Sequence, residues 1–329
     1  MKNKYVFVAV MLCAILAVGM GLTTLYVNQT KNPVEDGQEL TVVTSFYPMY
    51  IAADNIIDDA TGVHLENLSE PQTGCLHDFQ LTPEDMKLLS TADVFIINGG
   101  GIENFMQEVA AAYPDLTVIE ACKNTPLLEE GEDGQEHLHE AEETHEDGHE
   151  EEHDHGDVNA HAWMSVAAYE TQVQTIADGL AEADPARADA YQSGADAYLG
   201  KLDALKQEQE ALKPYMQGQS VLLFHEAYAY VAQDYGMSVS YLLDLDEERQ
   251  VSAGEVSDVL SAIQNDQVSY IFAEELYGKR MGDTVQKEAD VTVLYLDPLN
   301  RGDYDRDSYI NGMKQNMQIL REAFYAKDH

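Results

Sequence analysis

Residues 184–214 read DPARADAYQSGADAYLGKLDALKQEQEALKP, and this stretch decides the architecture. Tyr191, Ala195, Tyr198, Leu202, Leu205 and Leu212 recur at spacings of three, four and seven, which lines one face of an α-helix with apolar side chains. Asp184 ahead of Pro185 reads as a capped start, because proline suits the first helical turn. Pro214 sets the end, since its ring removes a backbone donor and pushes the preceding residue out of helical geometry. The pattern predicts a continuous helix of about 26 residues, about 39 Å long, enough to pass along two lobes.

On both sides of that helix, short β-branched runs alternate with helical patterns. Strands are expected at 41–45, 63–65, 94–98 and 117–119 before it, and at 221–224, 239–243, 270–272 and 291–296 after it. Among the helices, 83–90 is the best marked: Thr82 caps, Pro83 opens, and Glu84 and Asp85 complement the dipole. Residues 257–263 and 309–324 fall inside two others. Such alternation makes parallel sheets, and the second half repeats the plan of the first. A length of 329 residues with 45% apolar content suits two domains.

The formal net charge of −42, from 60 acidic against 18 basic residues, argues against nucleic acid or an anionic lipid surface as partner and favours cations. Lys2 and Lys4 precede a run without charge from Tyr5 through Val27, about the length that spans a bilayer. Residues 1–27 therefore read as an export segment. They read as an uncleaved anchor at the outer face of the cytoplasmic membrane in preference to a signal cleaved near Gly19 to Gly21, with residues 28–39 as a polar tether. Cys13 lies in that segment, so only Cys75 and Cys122 can pair in an oxidising compartment. A Cys75–Cys122 disulfide and two free thiols are equal readings.

Ligands of open parallel sheets bind at the carboxyl edge of the strands, which singles out a few of the eleven histidines. His225 follows the strand at 221–224 and Asp297 follows the one at 291–296. His77 lies on the loop after the second strand, and His161 precedes Trp163. Three imidazoles and one carboxylate suit Zn(II), with Mn(II) the alternative, because Mn(II) asks for more oxygen donors. Capture by neutral imidazoles should weaken as pH falls through about 6.5. Spacing alone is weak evidence, since a histidine after a strand is more often hydrogen-bonded than ligating.

Blocks of sequence strengthen the case. Val43-Thr44-Ser45-Phe46-Tyr47-Pro48, His77-Asp78-Phe79-Gln80-Leu81-Thr82-Pro83, Ala92-Asp93-Val94-Phe95 and Asn98-Gly99-Gly100-Gly101-Ile102-Glu103 are followed by Asn159-Ala160-His161-Ala162-Trp163. Asp184-Pro185, His225-Glu226-Ala227-Tyr228, Phe272-Ala273-Glu274 and Leu296-Asp297-Pro298-Leu299 complete the order. The chain resembles the zinc and manganese solute-binding proteins of ABC transporters. The resemblance implies two α/β parallel-sheet lobes, residues 40–183 and 214–329, joined by one long rigid helix over 184–213. It also implies a metal site in the cleft made by His77, His161, His225 and Asp297. Leu76 and Ala160 stand where the family has proline, and Glu274-Glu275-Leu276 replaces Glu-Pro-Leu, which makes Glu274 a rival fourth ligand. A histidine at the position of His225 goes with zinc sites in the family more often than with manganese sites.

Residues 129–157 hold fifteen acids, no lysine or arginine, and six histidines: His137, His139, His145, His149, His153 and His155. With almost nothing apolar to bury, the segment is expected to be a mobile loop. Its imidazoles form a low-affinity zinc collector, as the resemblance also implies; a solvated insert without a role is the plainer alternative. Gly99-Gly100-Gly101 after a strand lacks the spacing of a phosphate loop, and Glu103 would repel phosphate. The function expected is a non-enzymatic, monomeric carrier that presents Zn(II) to an ABC permease. An exported zinc hydrolase is the alternative, although no His-Glu-x-x-His element occurs. A zinc-buffering adhesin without a transporter is the third reading.

Overall fold

The structure is a computed structural model and describes residues 39–69, 79–129, 137–138, 158–245 and 249–325. The first half runs β1 (Leu40–Thr44), α1 (Tyr47–Ile57), β2 (Val63–Asn67), α2 (Pro83–Leu89), β3 (Val94–Ile97), α3 (Met106–Ala112) and β4 (Thr117–Glu120). Short strands β5 (Leu128–Glu129), β6 (His137–Leu138) and β7 (Val158–Asn159) lead to α4 (Val166–Ala183) and the long α5 (Ala188–Leu212). The second half runs β8 (Ser220–Leu223), α6 (Tyr228–Asp234), β9 (Ser238–Leu242), α7 (Ala253–Asn265), β10 (Tyr270–Ala273), α8 (Glu275–Glu288), β11 (Thr292–Tyr295) and α9 (Ser308–Tyr325).

Two four-stranded sheets result, ordered β2-β1-β3-β4 and β11-β10-β8-β9, and every pairing within them is parallel. They are the two expected lobes. Strands β5, β6 and β7 form a small antiparallel sheet in which Glu129 stands opposite Val158. Parallel strands are covered on both faces, and their side chains divide accordingly. In the second sheet Val221, Leu223, Phe272 and Leu294 face a core shared with the first lobe, whereas Leu222, Ile271 and Val293 face a separate cluster under α7 and α8.

The shared core is threaded by α5, whose 25 residues span about 38 Å at 1.5 Å each. Its buried side chains include Tyr191, Ala195, Tyr198, Leu202 and Leu205, the stripe read in the sequence. The helix stops at Leu212, and Pro214 falls in a following 3-10 turn, Lys213–Tyr215. Its start departs from expectation. Asp184 makes no side-chain cap; Pro185–Arg187 is a 3-10 turn. The Asp184 carboxylate instead turns into the core, where one oxygen accepts from Arg187 Nη1 at 2.7 Å and Tyr191 Oη at 2.8 Å. Two strong side-chain donors have outcompeted the backbone amide. At α2 the cap is as read: Thr82 Oγ1 accepts from the Asp85 amide, and Asp85 Oδ2 accepts from the Thr82 amide at 2.7 Å.

Side chains from the first lobe reach the second at several points. Tyr47 Oη meets Ser308 Oγ at 2.7 Å, Asn55 Nδ2 donates to the Arg306 carbonyl at 2.9 Å, and Arg306 pairs with Asp54 and Asp58. Tyr169 stacks on Tyr309 at 4.0 Å between centroids. Cys122 is a free, buried thiol with Sγ 3.1 Å from Gln172 Nε2. Burial away from any cation pushes that thiol's pKa up and leaves it inert. Cys75, the segment 1–27 and its tether lie outside the described residues. Among those described, no helix is long and apolar enough to cross a membrane.

Candidate metal centre

The carboxyl ends of the strands deliver the candidate ligands. His225 follows β8 after one residue, Glu274 follows β10 directly, Asp297 follows β11 after one residue, and His161 follows β7 after Ala160. His77 lies outside the described residues, as do His139, His145, His149, His153 and His155; His137 belongs to β6. Among the described residues no group of three or more His, Cys, Asp or Glu side chains is set to hold an ion. The structure does bring together His161 and His225, whose rings meet edge to face with centroids 5.0 Å apart at 90°. Both are 1% exposed.

Two oxygens face one nitrogen of His161. Asn159 Oδ1 stands 3.0 Å from Nδ1, and Glu226 Oε1 stands 3.1 Å from the same atom. Neither is a donor there: the Asn159 amide nitrogen is committed to the Glu226 carbonyl at 2.8 Å, and its oxygen also accepts from the His161 amide. In the neutral ring the proton therefore sits on Nδ1, and Nε2 is the nitrogen an ion would take. His225 is held differently, by the Ala227 amide donating to its Nδ1 at 3.1 Å. Behind the pair, Trp163 is fully buried, packs on Phe46 at 5.0 Å and donates from Nε1 to the Pro298 carbonyl at 2.9 Å. The block carrying His161 is thus tied to the loop carrying Asp297.

Asp297 sits in a recess that water reaches, its backbone amide held by Asn316 Oδ1 at 2.8 Å and its own Oδ1 accepting from the Leu299 amide at 2.9 Å. Desolvation raises its pKa above the ordinary carboxylate value, opposed by the Leu299 amide and by the charge of Arg301. Leu299 adopts φ = 54°, a left-handed conformation uncommon for a side chain with a β-carbon. Its amide bond to Asp297 holds that turn. Glu274 is nearly buried and is paired with Arg301, Nη2 to Oε1 at 2.7 Å.

The glycine loop after β3 holds an internal anion. Gly99, Gly100 and Gly101 have φ of 83°, 66° and 88°, a turn that side chains with a β-carbon adopt at a cost. Glu103 Oε1 accepts from the Asn98 amide at 2.7 Å and Ser45 Oγ at 2.8 Å, and Oε2 accepts from the Gly99 amide at 3.0 Å. Donors that would bind phosphate are occupied by the chain's own carboxylate. Burial raises the pKa of Glu103 to about 7.

Asn159, Glu226 and Arg301 are the functional candidates that reading the sequence did not single out. Asn159 and Glu226 each neighbour a candidate ligand in sequence, which is the available signal. That they converge on one ring nitrogen depends on contact between 159 and 226, from different lobes.

The chain is similar in sequence and fold to known proteins. The high-affinity zinc uptake system protein ZnuA of Bacillus subtilis (strain 168) is 27% identical over 307 residues, covering 91% of this chain and 92% of that protein. The manganese-binding lipoprotein MntA of Halalkalibacterium halodurans is 26% identical over 327 residues, covering 97% and 98%. The structure of the SBP FpvC from P. aeruginosa in complex with Ni2+ aligns with a TM-score of 0.73 at 26% identity, covering 88% of this chain and 98% of that one. The family model described as zinc-uptake complex component A, periplasmic (ZnuA), matches residues 42–323, and the chain belongs to that family.

Proposed function

We propose that this protein captures a Zn(II) ion outside the cytoplasm, between its two lobes, and delivers it to the permease of an ABC uptake transporter. His77, His161, His225 and Asp297 are the proposed ligands, with His77 contributed from the loop after β2. The observation that carries the reading is the buried His161–His225 pair, in which Asn159 and Glu226 occupy His161 Nδ1 and so make Nε2 of the neutral ring the nitrogen for an ion. Relatives named for zinc and for manganese support a divalent transition ion, and the imidazole-rich donor set favours zinc. The role is that of a monomeric carrier and not of an enzyme: the carboxylate nearest the pair, Glu226, is engaged in orienting a ligand, whereas a hydrolase needs a general base aimed at substrate.

Residues 1–27 are proposed to anchor the protein at the outer face of the membrane, and the histidines of 129–157 to collect zinc for the buried site. The test is competitive titration of the full chain with Zn(II) and Mn(II), repeated on His161→Ala and His225→Ala. One tight zinc site, lost in both variants, is the expected result. Undiminished zinc binding in either variant would remove that residue from the site.

A further inference from the structure

A buried carboxylate at the end of an inner strand of the second sheet is paired with an arginine beside the proposed centre. Strand β10 lies between β8 and β11, with Phe272 paired to Leu223 and Ala273 to Tyr295. Continuing that register past the strand end sets Glu274 level with His225 on one side and with Leu296, the neighbour of Asp297, on the other. The main-chain bonds agree: the Phe224 amide donates to the Phe272 carbonyl at 2.8 Å and the Leu296 amide to the Ala273 carbonyl at 3.0 Å. Glu274 therefore leaves the sheet between two proposed ligands. Its side chain is 4% exposed, and Arg301 Nη2 meets its Oε1 at 2.7 Å. Arg301 lies four residues past Asp297 on the same loop, is 31% exposed, and so approaches from the solvent side.

We propose that Arg301 is the residue that keeps the centre selective for Zn(II), by holding the Glu274 carboxylate in an ion pair and so out of the ligand set. The proposal rests on the zinc-carrier reading. Its chemistry is that of donor type: an added carboxylate oxygen beside three imidazoles and Asp297 raises the coordination number and hardens the site, which favours Mn(II) relative to Zn(II). Arginine suits the task because it keeps its charge at any working pH and its planar fork matches a carboxylate.

The test uses the full chain with Arg301→Met, which keeps an apolar stem and removes the charge. Zn(II) and Mn(II) dissociation constants are measured by competition, and Co(II) is used as a spectroscopic probe. Arg301→Met is expected to move the Zn/Mn affinity ratio toward Mn(II) by about tenfold or more, the scale of changes just outside a ligand shell. It should also weaken the Co(II) visible bands, as higher coordination does, and Arg301→Met combined with Glu274→Gln should restore both. An unchanged ratio, or a shift that persists in the double variant, overturns the proposal. Glu274→Gln alone, which strands no buried carboxylate, is expected to change zinc affinity by less than about tenfold. A loss as large as that of His225→Ala would make Glu274 a ligand despite Arg301 and overturn it too. Undiminished zinc binding in both His161→Ala and His225→Ala would instead defeat the carrier reading, whatever Arg301→Met does.

Discussion

His161 and His225 arrive at the cleft in different states of readiness. At His161 two oxygens face Nδ1, which in the neutral ring holds the proton there and makes Nε2 the nitrogen proposed to take an ion. At His225 the Ala227 amide donates to Nδ1, which in the neutral ring leaves the proton on Nε2. Taking an ion at Nε2 requires that proton to move to Nδ1, which releases the Ala227 contact, so His225 is the proposed ligand that must adjust. Glu103 shows the same economy of donors in another place, where three donors converge on one buried carboxylate. Its folded pKa, raised by burial to about 7 from the ordinary 4.5, means the folded state holds a proton more tightly than the unfolded chain. The stability this contributes is complete below about pH 4.5 and is lost as pH rises to about 7, a change of about 3 kcal/mol at most. Urea unfolding of the wild type and of Glu103→Gln across pH 4 to 8 should therefore show the wild type's advantage shrinking over that window. A pH-independent difference would contradict the assignment.

Two glycines on α5 show what the long helix does. A β-carbon on Gly194 would stand 2.3 Å from the Ile56 carbonyl oxygen and 2.9 Å from that of Asn55, at the end of α1. A β-carbon on Gly200 would meet nothing within 4 Å. Alanine gains up to about 1 kcal/mol over glycine inside a helix, so Gly200→Ala should stabilise by roughly that amount. Gly194→Ala should instead destabilise by about 1–3 kcal/mol, because backbone carbonyls cannot move aside and the two helices must separate. Urea midpoints of the two variants test the pair, and equal shifts would show that α1 does not rest on α5 this closely. The apolar stripe of α5, its end before Pro214 and all eight long strands were legible because each depends on neighbours in the chain. Asp184 was misread for the opposite reason. Asp-Pro carries the signature of a cap, but the carboxylate found Tyr191 one to two turns into the helix and Arg187 beside it. Gly194 gave no signal, since its partner Ile56 is 138 positions away. Likewise His225 and Asp297 could be picked from strand ends and His161 from its block with Trp163, whereas Asn159 and Glu226 come together only when the lobes meet.

Across the whole molecule, Trp163, Asn159, Tyr47 and Asp54 tie the first lobe to loops of the second, on either side of the proposed site. A site buried between lobes has little means of gathering a scarce ion, which is the part proposed for residues 129–157. The fold allows that part to be removed cleanly. Glu129 and Val158 face each other in the antiparallel pairing of β5 with β7. Replacing 130–157 by Asn-Gly therefore closes a two-residue hairpin of the type that suits this twist. The Tyr230 hydroxyl, which accepts from the Leu128 amide and donates to the Asn159 carbonyl, holds both strands in place independently of the excised residues. The excision takes the net charge from −42 to −28 and removes all six histidines of the segment. The shortened protein should fold, keep one tight zinc whose affinity is close to that of the full chain, and lack the additional weaker zinc expected on the full chain at excess metal. Growth supported by it should be normal in ample zinc and slower when zinc is withheld. Unchanged stoichiometry at excess zinc together with unchanged low-zinc growth would reduce the segment to a solvated insert. Loss of the tight zinc would instead place one of its histidines in the buried centre, in competition with His77.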